Sequence, residues 1–174
     1  SVYNTGTLFH LIEGGVSTAG GGSGSGSSSS SAFAYANNKQ NSGFGHTCAI
    51  ADNGDLKCWG RDNKGELGDG GTNHSGYGRT DTNAPNSTAI DLGAGRTAVA
   101  VSAYAQHTCA ILDNGDLKCW GRNLEGQLGD GSNTDTTTPS STAINLGAGR
   151  TAVALSGDYD YTCAILDNGD VKCW

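Results

Sequence analysis

The sequence predicts an all-β fold assembled from repeated four-stranded antiparallel units. Three observations lead there. A fourteen-residue block occurs three times, the two cysteines within each block are always ten positions apart, and no segment sustains a helical apolar period. Composition agrees: 29 of 174 residues are Gly, only 35% are hydrophobic and 16% charged, yet Trp, Tyr, Ile, Val and Leu recur at fixed places. Low charge with recurring apolar anchors describes a loop-rich β protein, not a disordered chain.

The N-terminal residues 1–19 form a strand-like tail, in which Tyr3, Thr5, Thr7, Phe9 and Leu11 fall on one side. Residues 20–30 are Gly and Ser only, a flexible tether. Residues 31–174 hold the repeats, the third incomplete. The block runs from His46-Thr47-Cys48-Ala49-Ile50 through Asp52-Asn53-Gly54-Asp55 to Leu56-Lys57-Cys58-Trp59, and returns from His107 to Trp120 and from Tyr161 to Trp174. Successive first cysteines are 61 and 54 residues apart, and the difference lies in one loop: Trp59 to Pro85 is 26 positions, Trp120 to Pro139 is 19. One variable loop on a constant frame is the behaviour of a repeat architecture.

Within a unit, Thr97 to Val101 and Thr151 to Leu155 read as first strands, rich in small and β-branched residues. Ser31 to Tyr35 resembles them, so the first unit begins near residue 31. The Cys-bearing runs are the second and third strands. Thr88 to Leu92 and Thr142 to Leu146 read as the fourth. Asp52-Asn53-Gly54 makes a three-residue hairpin turn with Gly in the left-handed position. That turn pairs Ile50 with Leu56 and Cys48 with Cys58, at a narrow pair where facing side chains approach closest. Trp59, Trp120 and Trp174 are expected at equivalent places between neighbouring sheets.

The six cysteines, Cys48, Cys58, Cys109, Cys119, Cys163 and Cys173, are even in number and constant in spacing, which points to disulfides in an oxidising compartment. Closing each ten-residue loop stabilises the fold by about 2.5 to 3 kcal/mol in the chain-entropy model. Zinc is the rival, because His46 and His107 sit two residues before a Cys, but Tyr161 breaks the pattern in the third block. An extracellular or cell-surface protein is expected. No methionine stands at position 1, which fits removal of a leader or an excerpt from a longer chain.

Other motifs carry less. Gly93-Ala94-Gly95-Arg96-Thr97-Ala98 resembles a dinucleotide fingerprint, but a short strand follows where a helix should, so it reads as a turn between units. Asp52, Asp55, Asp69, Asp130 and Asp135 lie in Gly/Asn-rich loops that leave structural calcium open as a cofactor, although turn chemistry already explains them. Asn73 and Asn86 begin glycosylation sequons, and the Ser tract offers sites for further glycans. No catalytic constellation and no cofactor site is expected. The net charge of −7 with ten scattered basic residues excludes a nucleic-acid surface, and no run approaches the roughly 20 apolar residues of a membrane span.

His-Thr-Cys-Ala-Ile, Asp-Asn-Gly-Asp, Cys-Trp-Gly-Arg-Asn and Gly-Gln-Leu-Gly-Asp-Gly together resemble the repeat of the regulator of chromosome condensation family, in a Cys-bearing form associated with secreted proteins. The resemblance covers about residues 31–174 and implies a β-propeller of four-stranded blades, commonly about seven. Three blades leave the ring incomplete.

Two functions follow as expectations. The main one is a structural or adhesive extracellular protein that self-associates into filaments by donating the Val2 to Ile12 strand to a neighbour. The alternative is a propeller-type binding module, an inhibitor or receptor, whose variable loop 71–84 recognises its partner through His74, Tyr77 and Arg79. Nucleotide exchange on a small GTPase, as in the family's namesake, is disfavoured because it needs a closed ring in a reducing nucleus.

Overall fold

The structure is a computed structural model that describes residues 45–72 and 88–174. Its eight strands fall into three antiparallel sheets, with no helix among the described residues. β1 (His46–Ile50) and β2 (Leu56–Gly60) form a hairpin; β3 (Ala98–Ala103), β4 (His107–Leu112) and β5 (Leu117–Gly121) form the second sheet. β6 (Ala152–Gly157), β7 (Thr162–Leu166) and β8 (Val171–Cys173) form the third. The expected all-β fold of antiparallel propeller-type units is present, and the strands do not close a ring. The tail 1–19, the tether 20–30 and the strand expected at Ser31 to Tyr35 lie outside the described residues.

The hairpins follow from their turns. Gly54 has a φ of 82°, its N–H donates to the Ala51 carbonyl at 2.8 Å, and the Ala51 N–H donates to the Asp55 carbonyl at 2.9 Å. Asn53 Oδ1 accepts the Asp55 N–H at 3.1 Å, an Asx turn that recurs at Asn114 and Asn168. The register is the expected one, with Cys48 opposite Cys58 and Ile50 opposite Leu56. The cysteine Cα atoms are 4.1 Å apart at a narrow pair, and Cys48–Cys58, Cys109–Cys119 and Cys163–Cys173 are all bridged.

The first strands carry an extra residue. A register shift between Ala98 and Ala100 bulges Val99 outward, and the same shift recurs at Val153. The fourth segments differ from the expected strands. Ile90 donates its N–H to Leu56 and Ile144 to Leu117, both at 2.8 Å, and no ladder follows. The reason is local: Asp91 and Asn145 cap the N–H groups of Gly93 and Gly147, whose φ values of 105° and 106° curl the chain away. The second and third blades therefore have a full ladder of three strands and the described part of the first has two, and in the first two units a further edge is pinned by one bond.

The core lies between successive sheets. The first cystine, Ile50 and Leu56 pack against Val101, Ala103 and Trp120 of the second unit. The second cystine, Ile111 and Leu117 pack against Leu155, Ala164 and Leu166 of the third. In the second sheet every residue of β4 and β5 is buried, as expected for a sheet covered on both faces. On the third sheet the counterparts Ile165 and Val171 are exposed.

Candidate functional site: the repeat junctions and the groove between them

Each junction is tied by a relay of buried polar groups. His46 Nε2 lies 2.6 Å from Thr108 Oγ1, and Thr108 Oγ1 donates its single proton to the Glu66 carbonyl at 2.8 Å. The ring nitrogen is therefore the donor to Thr108. Trp120 Nε1 also donates to the Glu66 carbonyl, at 3.0 Å. The second junction repeats the arrangement: His107 Nε2 meets Thr162 Oγ1 at 2.8 Å, while Thr162 Oγ1 and Trp174 Nε1 donate to the Gln127 carbonyl at 2.8 and 3.0 Å. Trp120 and Trp174 thus hold equivalent positions; Trp59 is half-buried.

These histidines are uncharged by construction. Burial, with the charge of Arg61 adding to it, pushes His46 down to about 4; burial, with the charges of His46 and Arg122, pushes His107 down to about 3. They hold repeats together and are not brought to the cysteines as metal ligands, since every cysteine sulfur is spent in a bridge.

Glycine marks where units touch. A Cβ on Gly54 would stand 2.5 Å from Thr97 Cβ, and one on Gly115 would stand 2.5 Å from Thr151 Cγ2, so each hairpin turn abuts the next unit. The sequence at Gly93 is a turn, with Arg96 N–H donating to the Gly93 carbonyl at 3.1 Å and no helix after it.

The acidic loops resolve into turn and junction chemistry. Asp55 bonds Asn53, Asp69 accepts the Gly71 N–H, and Asp135 accepts the Asn123 N–H and pairs with Lys64 Nζ at 3.1 Å. Burial acts to raise the Asp130 carboxyl, but the Ser132 N–H, Ser132 Oγ and Asn123 Nδ2 outweigh it and hold it below its usual range. Asp52 is an exposed turn residue. No group of three or more potential metal-binding side chains occurs among the described residues.

Between the first two repeats runs an open groove of about 700 Å³. Asp69, Thr88, Asp91, Lys118, Asp130 and Thr136 are among its lining residues. Lys118 is buried and donates Nζ to the Leu92 carbonyl at 2.9 Å, so its charge is held in the wall while three carboxylates share the surface. Thr136 Oγ1 is buried without a hydrogen-bond partner. Asp69, which precedes the variable loop in sequence, and Thr88, which follows it, both line the groove. The loop's His74, Tyr77 and Arg79, and the sequon residues Asn73 and Asn86, lie outside the described residues. Sequence reasoning did not single out Thr108, Thr162, Glu66, Gln127 or Lys118, although all belong to the repeated pattern.

Three-stranded units with a cystine hairpin, stacked through a His-Thr-Trp relay, define a propeller-type repeat protein. The family model for the regulator of chromosome condensation (RCC1) repeat matches residues 41–66 and 98–127. The chain carries repeats of this kind. It is 35% identical over 97 residues to the ultraviolet-B receptor UVR8 of Arabidopsis thaliana, covering 56% of this chain and 20% of that protein. It is 30% identical over 131 residues to the human E3 ubiquitin-protein ligase HERC2, covering 74% of this chain and 3% of that one. The chain thus spans a fifth or less of these relatives. Among solved structures, human WBSCR16 superposes with a TM-score of 0.61 at 19% identity, covering 75% of this chain and 31% of its own. Prp20p from Saccharomyces cerevisiae gives 0.61 at 18%, covering 76% and 32%.

Proposed function

We propose that this chain is a propeller-type binding module that recognises a protein partner through the groove between its first two repeats together with the variable loop 71–84. The observation that carries the reading is position: the described residues on either side of the one loop that differs between otherwise constant repeats, Asp69 before it and Thr88 after it, both line the groove. Loops on a rigid scaffold are where recognition concentrates. Three carboxylates against one wall-bound Lys favour a partner segment bearing Lys or Arg. The relatives lend support. UVR8 is a receptor, and Prp20p is described by its binding to Gsp1p and histones. The chain acts by binding and not as an enzyme, and its three disulfides favour an oxidising, extracellular setting.

The self-assembling filament reading rests on residues 1–20, outside the described residues, and nothing in the described repeats favours it over binding. A displayed peptide library panned on the whole chain tests the proposal. Selected peptides should be basic, and should lose binding when Asp69 and Asp91 are changed to Asn or when residues 73–84 are shortened toward the second repeat's loop. Binders indifferent to all three changes would refute it.

A further inference from the structure

Glu66 and Gln127 occupy one place in successive repeats, in Gly65-Glu66-Leu67-Gly68 and Gly126-Gln127-Leu128-Gly129. Both side chains are fully buried, and both backbone carbonyls receive the Thr hydroxyl and Trp indole of the next unit. The Gln127 amide is satisfied at both ends. Its Oε1 accepts the Glu125 N–H at 3.0 Å, and its Nε2 donates to the Tyr159 carbonyl at 3.1 Å, fastening the second repeat to the third. Glu66 Oε2 accepts the Lys64 N–H in the same way. Its Oε1, at the place of the Gln127 NH₂, is buried with no hydrogen-bond partner. A carboxylate has no proton to donate from that position, whereas a carboxylic acid has one.

We propose that Glu66 is a proton-operated latch between the first and second repeats. Protonated, it stands in for glutamine and donates Oε1–H to the Ala105 carbonyl, which is the counterpart of Tyr159. Ionised, it releases that carbonyl and leaves a charge inside the junction. Gly68 and Asp69 follow directly and line the groove, so the latch sets how firmly that wall is held, whatever the groove binds.

The surrounding charges decide the direction. Arg61 Nε, 3.6 Å from Oε1, favours the ionised form, and Asp62 opposes it. Lys64 turns its ammonium to Asp135. From β1, His46 contributes no charge above about pH 4, and the facing groups of the second unit, Thr108 and Trp120, are neutral. His107 is neutral too and turns Nε2 toward Thr162. Burial dominates and pushes the Glu66 carboxyl from its ordinary 4.5 up to about 7. A folded-state value above the unfolded one stabilises fully below about 4.5, and that stabilisation is lost as pH rises through about 7.

Urea unfolding of the whole disulfide-bonded chain and of Glu66→Gln, from pH 5 to 8, tests the latch. The ratio of the two unfolding constants should climb about tenfold per pH unit between pH 5 and 7 and flatten above. Gln127→Glu, made in the Glu66→Gln background, should restore the dependence at the other junction. Carboxyl ¹³C NMR of the unmodified chain gives an independent reading if a variant fails to fold. A Glu66 resonance titrating near 7 supports the latch. Parallel unfolding curves, or a resonance titrating in the ordinary carboxylate range, overturn it.

Discussion

The two repeat junctions share their hydrogen bonds and differ in their surroundings. At both, a His meets a Thr whose hydroxyl reaches a carbonyl that also receives a Trp indole. At the first, however, Trp120 is fully buried and the carbonyl belongs to an acid; at the second, Trp174 is half-buried and the carbonyl belongs to an amide. Beyond the second junction the third sheet presents Ile165 and Val171 to solvent, and Tyr161, just before β7, is exposed beside them in sequence. Residues that repeat therefore build the frame, and residues that break the repeat mark where one unit acquires a property the others lack.

The largest test of that comparison is tryptophan truncation. Trp120→Ala should cost about 3 to 5 kcal/mol, and Trp174→Ala distinctly less, because its ring already meets solvent on one side. Equal losses in urea unfolding would mean that the junctions do not differ in burial. Next come the disulfides. Replacing Cys109 and Cys119 together by Ala should cost about 2.7 kcal/mol in the chain-entropy model, with the lost packing of a buried cystine in addition. The Cys163–Cys173 pair closes the same span, but Cys173 is exposed, so its removal should cost less.

A finer comparison uses three matching turns. Gly54, Gly115 and Gly169 have φ values of 82°, 81° and 86°, yet only the first two have a Thr of the next unit where a Cβ would stand. Gly169→Ala should cost about 1 kcal/mol, from left-handed strain alone. Gly54→Ala and Gly115→Ala should cost about 2 to 3 kcal/mol because a neighbour must also move. Similar losses at all three would detach the turns from the junctions. The smallest effect is in acid. His46 and His107 have folded values below their unfolded 6.5, so their contribution is present above about pH 6.5 and is lost as pH falls toward 4 and 3. Thermal unfolding from pH 7 to 4 should show Tm falling more steeply for the unmodified chain than for His107→Gln.

What the sequence made legible was local. The ten-residue cysteine spacing and the Asp-Asn-Gly turn determine register, bridge and turn glycine without reference to the rest of the chain. The β5 Trp could be placed at a junction because it repeats. The fourth strand was not legible, because Ile90 and Leu92 look like strand residues and only the Asp91 cap on Gly93 shows that the chain turns off after one bond. The relay was also hidden, since His46 and Thr108 are 62 residues apart and each reads alone as the start of a strand. The Glu66 and Gln127 positions were visible as a difference within Gly-x-Leu-Gly-Asp-Gly, but burial is what gives that difference chemistry. The groove required both repeats to be folded together, while the variable loop was visible from its length alone.

The central claim is that one relay joins successive repeats at both junctions. Indole hydrogen exchange, followed by ¹⁵N-resolved NMR on the intact chain, tests it most directly. Trp120 and Trp174 Nε1–H should both be protected relative to free indole, Trp120 more strongly, and Thr108→Val and Thr162→Val should each deprotect only its own tryptophan. Exchange of both indoles at the free rate, or deprotection that ignores which Thr was replaced, would contradict the account.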